Sequence, residues 1–404
     1  MEPVSYEHAL DGLMHGSQVG PPLRLPLDAA AGQFLAENVV ARFALPRWPS
    51  SSMDGFAVAG DAVRDATPEA PARVRLAGGS AAGEPTPPAL AAGTAWGVAT
   101  GGRIPPGTDT VIRQEDTSID GADLLVYHAR DVGRNVRAEG GDVQAGQTML
   151  AAGTALTPGV MALLAALGVA EPIVYRRPRV ALLCSGDELA GVDHLDAIIA
   201  GERIADVNTP MLTAMVREAG GVPVSLGMVP DRVEALVDRL ARAADADLII
   251  TAGGISVGPH DHVPEAMARL GATVVFRRVW MRPGGPMTVC RLPDGRLWAA
   301  LPGNPISAWT TFVVLARPVI REMLGDPVPR PHWRAHRLAD AVPRHPNLDL
   351  FVRVRVNDDG SVAPTGPQES WRTSALAGAE RIVRIPAGAG RVAAGELVDG
   401  IAVS

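Results

Sequence analysis

Three glycine-bearing segments hold the residue types that could bind and cleave an anionic substrate. They are Cys184-Ser185-Gly186-Asp187-Glu188, Gly253-Gly254-Ile255-Ser256-Val257-Gly258 and Leu301-Pro302-Gly303-Asn304-Pro305-Ile306-Ser307. Glycine lets backbone N–H groups approach an anion closely, and a following helix N-terminus adds partial positive charge. Each segment alone reads as a turn. Together, each carrying a serine or a carboxylate, they describe a pocket for a phosphorylated or oxyanionic ligand. Carboxylates make sense there if a divalent cation bridges them to phosphate, and Glu188 and Asp261 are the candidates. The local sequence gives Glu188 an equal structural role, as a first-turn acid complementing a helix dipole. Asp231 precedes a clear helix and reads as its N-cap rather than a catalyst. His260 and His262 flank Asp261, but no third metal ligand is identifiable, which favours loop histidines. Ser185 and Ser256 lack the G-x-S-x-G setting of a nucleophile. Asp54-Gly55 reads as a hairpin turn, and Thr100-Gly101-Gly102 also sits at a turn.

The elements that must position these residues are legible in outline. Residues 5–42 read as a helix followed by a strand-like stretch. From 55 to 130 short strands alternate with Gly/Pro clusters, an all-β pattern. Thr157-Pro158 opens an apolar helix, with Thr157 as N-cap and Gly168 as the stop. From Arg176-Arg177-Pro178 to about Gly325, strand and helix alternate. RVALLCSG is a continuous apolar run suited to a strand buried on both faces of a parallel sheet. A helix from Pro210 to Ala219 follows, capped by Asn208 or Thr209 and stopped by Gly220. Then come a strand from Val222 to Met228, a helix from Arg232 to Ala244, the strand DLIITAGG and a helix from Val263 to Leu270. This βαβ order predicts a parallel α/β domain with ligands beyond the carboxyl ends of its strands. After the Pro-rich LGDPVPRP, residues 335–404 read as a small β domain.

Composition excludes several chemistries. The 404 residues contain no lysine, so all 37 basic residues are arginine. Schiff-base catalysis, lysine-bound pyridoxal and a standard phosphate-loop lysine are therefore ruled out. A net charge of −7 argues against a nucleic-acid binder. The amino terminus MEPVSYEHALDG lacks the order of a signal peptide, and the apolar run from Val160 to Ala170 is too short to span a bilayer. Two distant cysteines, Cys184 and Cys290, have no metal-type spacing. A cytoplasmic, reduced protein with no membrane or nucleic-acid partner is the expectation.

The motifs SSMDGFAV, ATGGRIPPGTDTVI, GRNVRAEGGDVQAG, LLCSGDEL, DVNTPML, DLIITAGGISVGPHDHV, VWMRPGGPM and LPGNPISA occur in one order along the chain. That ordered set, from about residue 5 to the end, resembles the molybdopterin molybdenumtransferases, bacterial MoeA and the E domains of gephyrin and its plant counterpart. The resemblance implies a multidomain α/β plus β fold. It has a split N-terminal domain (1–41 and 131–173), an inserted β-rich domain (42–130), an α/β molybdopterin-binding domain (174–327) similar to the adenylyltransferase of the preceding step, and a C-terminal β domain (328–404). It also implies an elongated homodimer, with the cleft between the α/β domain of one subunit and the inserted domain of its partner. The implied reaction takes adenylylated molybdopterin and molybdate to molybdenum cofactor and AMP, with Mg²⁺ or another divalent cation. Molybdopterin adenylyltransferase and molybdoenzymes or their chaperones are the implied partners.

Residue by residue, the resemblance gives Asp54, Thr100, Asp142, Glu188, Asp231 and Asp261 as important polar positions, with Glu188 and Asp261 at the metal. It gives Ser185, Gly186, Asp187, Asn208, Gly253, Gly254, Ser256, Gly258, Arg282, Pro302, Gly303, Asn304, Pro305 and Ser307 as pterin- and oxyanion-binding positions. Arg353, in LFVRVRV, matches an arginine that reaches molybdate. Three departures stand out. The family's K-P-G-K-P is Arg282-Pro283-Gly284-Gly285-Pro286, its G-E-D is Gly140-Gly141-Asp142, and a Gly-Ser pattern has become Gln368-Glu369-Ser370-Trp371. Loss of the second lysine at Gly285 removes a charge-assisted bond of ~1.5–3 kcal/mol, for which Arg277 or Arg278 is the available substitute. Two other readings stand beside the transferase. One is a diverged paralogue that binds molybdopterin or a partner protein without turnover. The other is the preceding adenylyltransferase, for which the α/β domain alone would suffice.

Overall fold

The computed structural model describes residues 1–255 and 262–403. Ser256, Gly258 and Asp261, together with His260, lie outside the described residues. The chain forms two compact units, one of residues 1–37, 152–165 and 169–404, the other of residues 38–151 with 166–168.

The first unit begins with α1 (Tyr6–Met14), whose Ser5 hydroxyl accepts from the His8 N–H. The apolar helix α2 (Pro158–Ala166) has the expected ends: Thr157 Oγ1 accepts from the Val160 N–H, and Gly168 takes φ +70°. Its central sheet contains β1 (Arg179–Ser185), β2 (Val222–Val229), β3 (Leu248–Ala252), β4 (Thr273–Arg277), β6 (Thr288–Arg291) and β7 (Leu297–Leu301), in the order β2-β1-β3-β7-β6-β4. The first four are parallel, and β6 and β4 close the edge antiparallel. Helices α3 (Asn208–Glu218), α4 (Val233–Leu240) and α5 (Val263–Arg269) are the crossovers. All five residues of β3 and of β7 are buried, as apolar runs demand of strands covered on both faces. Each such Leu or Ile contributes about 1.5–3 kcal/mol by leaving water.

Two helix starts differ from the sequence reading. The α3 cap comes from Asp206, whose Oδ1 accepts from the N–H groups of both Asn208 and Thr209 at 3.0 Å. Asn208 sits inside the first turn with its side chain committed elsewhere. Helix α4 starts at Val233, and Asp231 makes no cap bond.

A continuous helical run, α6 (Pro305–Thr311), a π-helical turn and α7 (Arg317–Met323), leads from β7 to the C-terminal sheet. That sheet contains β8 (Arg334–Arg337), β9 (Asp349–Val356), β10 (Arg381–Ile385) and β11 (Leu397–Ala402). It also takes in β5 (Met281–Arg282), which pairs parallel with β9, so its order is β5-β9-β10-β11-β8. The expected self-contained β region from 335 onward is thus incomplete without a two-residue strand from the preceding segment. Two residues are too short to carry a period in the sequence.

In the second unit a six-stranded sheet runs in the order 110–113, 55–58, 94–98, 72–80, 123–126, 117–120. Its core is Val58, Val63, Val74, Ala95, Ile112, Leu124 and Val126. This corresponds to the short-strand pattern read over 55–130. Gly55 is required there, because a Cβ would lie 2.1 Å from the Ile112 carbonyl oxygen. No described helix is long and apolar enough to cross a membrane.

Candidate functional site

The parallel strands fix where a ligand can sit. From β1 the chain crosses to β2 on one side and then to β3 on the other, so the crevice opens at the carboxyl ends of β1 and β3. Ser185 ends β1, and Gly253 and Gly254 leave β3. A Cβ on Gly253 would lie 2.5 Å from Ser185 O, and one on Gly254 would lie 3.0 Å from Ser185 Oγ. Both glycines have positive φ, +99° and +68°, which a side chain would strain. The Cβ position of Gly303 is 3.4 Å from Gly253 Cα, so the third loop closes on the second. Asn208 Nδ2 donates to Gly303 O at 2.8 Å and ties α3 to the loop after β7. Its Oδ1 is buried without a partner among the described residues. Loops far apart in sequence thus form one floor of closely approaching backbone.

Carboxylates collect beside it. The Glu188 oxygens lie 2.9 Å from the Cβ position of Gly186, so the side chain folds back over that glycine. No helix begins at Glu188; Leu189–Ala190 is a short strand and the next helix starts only at Leu195, which removes the helix-dipole reading. Asp231 follows β2, and its N–H donates to Asp187 Oδ1 at 3.3 Å. Among the described residues Asp231 Oδ1 is buried without a hydrogen-bond partner, a costly state for a carboxylate that caps nothing. Asp187, Glu188 and Asp231 therefore stand together at the ends of β1 and β2. Among the described residues no three His, Cys, Asp or Glu side chains form a ready metal cage. Mg²⁺ is ordinarily held by one or two carboxylates plus substrate phosphate oxygens. Hard oxygen donors with an orphaned Asp231 oxygen fit that mode.

A cavity of about 350 Å³ extends from the Pro302 loop toward the C-terminal sheet. Arg278, Arg282, Asn304, Ser307, Gln368 and Ser370 line it. Pro305 starts α6, directing its first N–H groups to this end, and Asn304 Nδ2 donates to Ser370 Oγ at 3.2 Å. Arg282 is exposed on β5. Arg278 holds φ +65°, unusual for a non-glycine residue, fixed by its N–H to Met287 O and by the Val4 N–H to its own carbonyl. Arg278 and Gly285 line the same cavity, so an arginine borders the place where the second lysine of the motif is lost. Its neighbour Arg277 lies on β4 and does not line the cavity. Sequence spacing offered both arginines equally, since only the turn after β4 decides between them. Arg278→Ala is expected to weaken the binding of a tetrahedral oxyanion in this cavity about tenfold. Gly285→Lys should improve it less than about threefold, because its Cβ would press on Met281 O at 3.0 Å. A titration of both variants with an inorganic tetrahedral oxyanion checks this.

Arg353, on β9, is fully buried. Its backbone N–H donates to Gln368 Oε1 at 3.0 Å and its Nη2 to Pro367 O at 3.1 Å, whereas Nε and Nη1 have no partner among the described residues. Burial lowers its pKa from the ordinary arginine value, opposed by the Glu369 charge.

The second unit holds the other three expected residues. Asp54 Oδ1 accepts from Thr100 N at 2.6 Å and Thr100 Oγ1 at 2.9 Å. These bonds, the backbone one foremost, hold its carboxyl below the usual range. Its share of stability is present above the unfolded pKa and lost as pH falls through the lowered folded value. Thr100→Val should move the Asp54 titration upward in a ¹³C-detected pH series. Asp142 is exposed, its N–H bonded to Leu45 O. Neither Asp54 nor Thr100 makes a hydrogen bond with it among those described. Both cysteines are buried, which pushes their thiols up to about 12. They are neutral packing residues.

Fold and site together define a multidomain protein whose parallel α/β domain opens a glycine-floored crevice at its strand ends. Residues 4–168 match the MoeA N-terminal region (domain I and II), 181–322 a probable molybdopterin binding domain, and 335–403 the MoeA C-terminal region (domain IV). Similar proteins include molybdopterin molybdenumtransferase 2 of Mycobacterium tuberculosis, 35% identical over 93% of each chain. The molybdopterin molybdenumtransferase of Bacillus subtilis is 32% identical over 96% of this chain and 91% of its own. That of a Nostoc strain is 37% identical over 74% and 68%. In fold, the chain is similar to a crystallised molybdopterin biosynthesis MoeA protein of Pyrococcus horikosii, with TM-score 0.84, 24% identity and full coverage of both. The chain belongs to the molybdopterin molybdenumtransferase family, enzymes of molybdenum cofactor biosynthesis.

Proposed function

We propose that this transferase moves molybdenum from molybdate onto adenylylated molybdopterin and releases AMP and molybdenum cofactor. The observation that carries the reading is the joining of three strand-end glycine loops to Asp187, Glu188 and Asp231 on one side and an arginine-lined cavity on the other. The glycine floor around Ser185, Gly253 and Gly303 binds the substrate's phosphates through backbone N–H groups. Arg278, Arg282 and the first turn of α6 hold the tetrahedral molybdate dianion by charge-assisted hydrogen bonds. Arg353, fully buried beside the lining residue Gln368, would add its charge from behind that wall. Glu188 and Asp231 would hold a divalent cation, which when bound neutralises charge building on the departing AMP phosphate. Asn208 keeps the Gly303 loop in register with α3, so phosphate and molybdate pockets stay at fixed spacing. The dithiolene of the pterin supplies soft sulfur ligands to molybdenum, and buried neutral cysteines do not compete.

In this reading the protein works in the cytoplasm as a homodimer, with Asp54, Thr100 and Asp142 of one subunit completing the cleft of the other. Asp261, Ser256 and Gly258 belong to the same set. A molybdopterin adenylyltransferase would supply the substrate, and molybdoenzymes or their chaperones would take the product. The test is AMP release from adenylylated molybdopterin with Mg²⁺, with and without molybdate. Molybdate-dependent release is expected. Tight substrate binding with no release would overturn the reading in favour of a binding paralogue, and a monomer by sedimentation at micromolar concentration would contradict the shared cleft.

A further inference from the structure

A second, larger cavity of about 760 Å³ lies between α7 and the strands of the C-terminal sheet, and it shares no lining residue with the Arg282 cavity. We propose that it binds a phosphate-bearing small molecule, the phosphoryl group seated among Arg317, Arg334, Arg381 and His336.

Charge accounting carries the argument. Five arginines line the cavity, but two are already neutralised, Arg321 by Asp326 and Arg330 by Asp11. Arg317 donates to the carbonyls of Ala402 and Val403, and Arg381 to that of Glu380. Those bonds fix the guanidinium groups without cancelling their charge. Among the described residues Arg317, Arg334 and Arg381 form no ion pair, and Glu218 is the carboxylate set against them. Three guanidinium groups facing one carboxylate around one concavity are unexpected in a chain of net charge −7. A merely solvated basic face would be convex and open. Here Arg317 is desolvated enough for its pKa to fall. A dianion with several acceptor oxygens suits converging guanidinium forks better than a single carboxylate does.

His336 reports the local field. It packs on Gly400, where a Cβ would lie 2.7 Å from its ring. Burial comes first, followed by the charges of Arg381 and Arg334, in lowering its pKa from the ordinary histidine value. His332 also lines the cavity. A bound dianion would reverse the field, favour the imidazolium and raise the His336 pKa. Phe34, Pro318 and Ile401 form an apolar wall beside the charges, giving room for an organic portion such as a nucleoside.

The experiment follows the His336 ring resonance in the full-length protein, assigned by its loss in His336→Gln, during titration with inorganic phosphate, AMP and ATP. At least one of these should saturate the shift and raise the His336 pKa by about half a unit or more. Arg334→Ala, which alters an exposed side chain, and Arg381→Ala should each weaken that binding about tenfold, with melting curves showing both folded. Arg282→Ala should leave it unchanged. Inorganic phosphate binding as tightly as the nucleotides would identify a simple phosphate site, whereas tighter ATP or AMP would identify a nucleotide. A silent His336 with all three probes, or affinity undiminished in both arginine variants, would overturn the proposal.

Discussion

Glu188→Gln is expected to lower AMP release by about 10²-fold while leaving affinity for adenylylated molybdopterin within about threefold. The substitution keeps the shape of the side chain over Gly186 and removes only its charge. In the proposed mode the substrate's phosphates meet backbone N–H groups of the glycine loops, which the change does not touch. The carboxylate is needed where charge develops on the departing phosphate, so its loss falls on the chemical step. Raising Mg²⁺ should recover part of the rate, because a weakened cation site fills again by mass action. Unchanged turnover at ordinary Mg²⁺ would remove Glu188 from the mechanism.

Arg353→Met should separate function from stability in an unusual direction. A guanidinium in the core with Nε and Nη1 unpaired costs the fold more than it contributes. Replacing it by an apolar chain of similar length is expected to leave the melting temperature unchanged or raise it, by up to about 1–4 kcal/mol of stability. If its charge acts on the proposed molybdate cavity from behind Gln368, its loss should raise the half-saturating molybdate concentration about tenfold or more. An arginine kept only for packing would give the opposite pair of results, a falling melting temperature and an unaltered molybdate titration.

Much of the fold was legible because the parallel strands are long apolar runs separated by capped helices. RVALLCSG and DLIITAGG announce doubly covered strands by themselves, and Thr157-Pro158 with Gly168 mark both ends of a helix. Where the sequence misled, a tertiary contact had redirected a side chain. Asn208 looks like a helix cap, but its amide is drawn to Gly303, and Asp206 caps instead. Asp231 has the position of a cap and the geometry of a ligand, left with one oxygen unpaired beside Asp187. Glu188 resembles a first-turn acid only until the strand after it is seen. The pairing of Asp54 with Thr100 depends on the meeting of two turns far apart in the chain. Nothing local in the VWMRPGGPM segment could show that Met281 and Arg282 complete the C-terminal sheet, or that Arg278 rather than Arg277 turns into the cavity.

The most direct measurement is a single-turnover reaction in which AMP and pterin-bound molybdenum are quantified in the same sample over time. The account predicts that the two appear together, one molybdenum per AMP, and that both slow in step by about 10²-fold in Glu188→Gln. AMP released without molybdenum incorporation, or incorporation without cleavage, would contradict a site that joins the glycine floor, the carboxylates and the arginine cavity in one reaction.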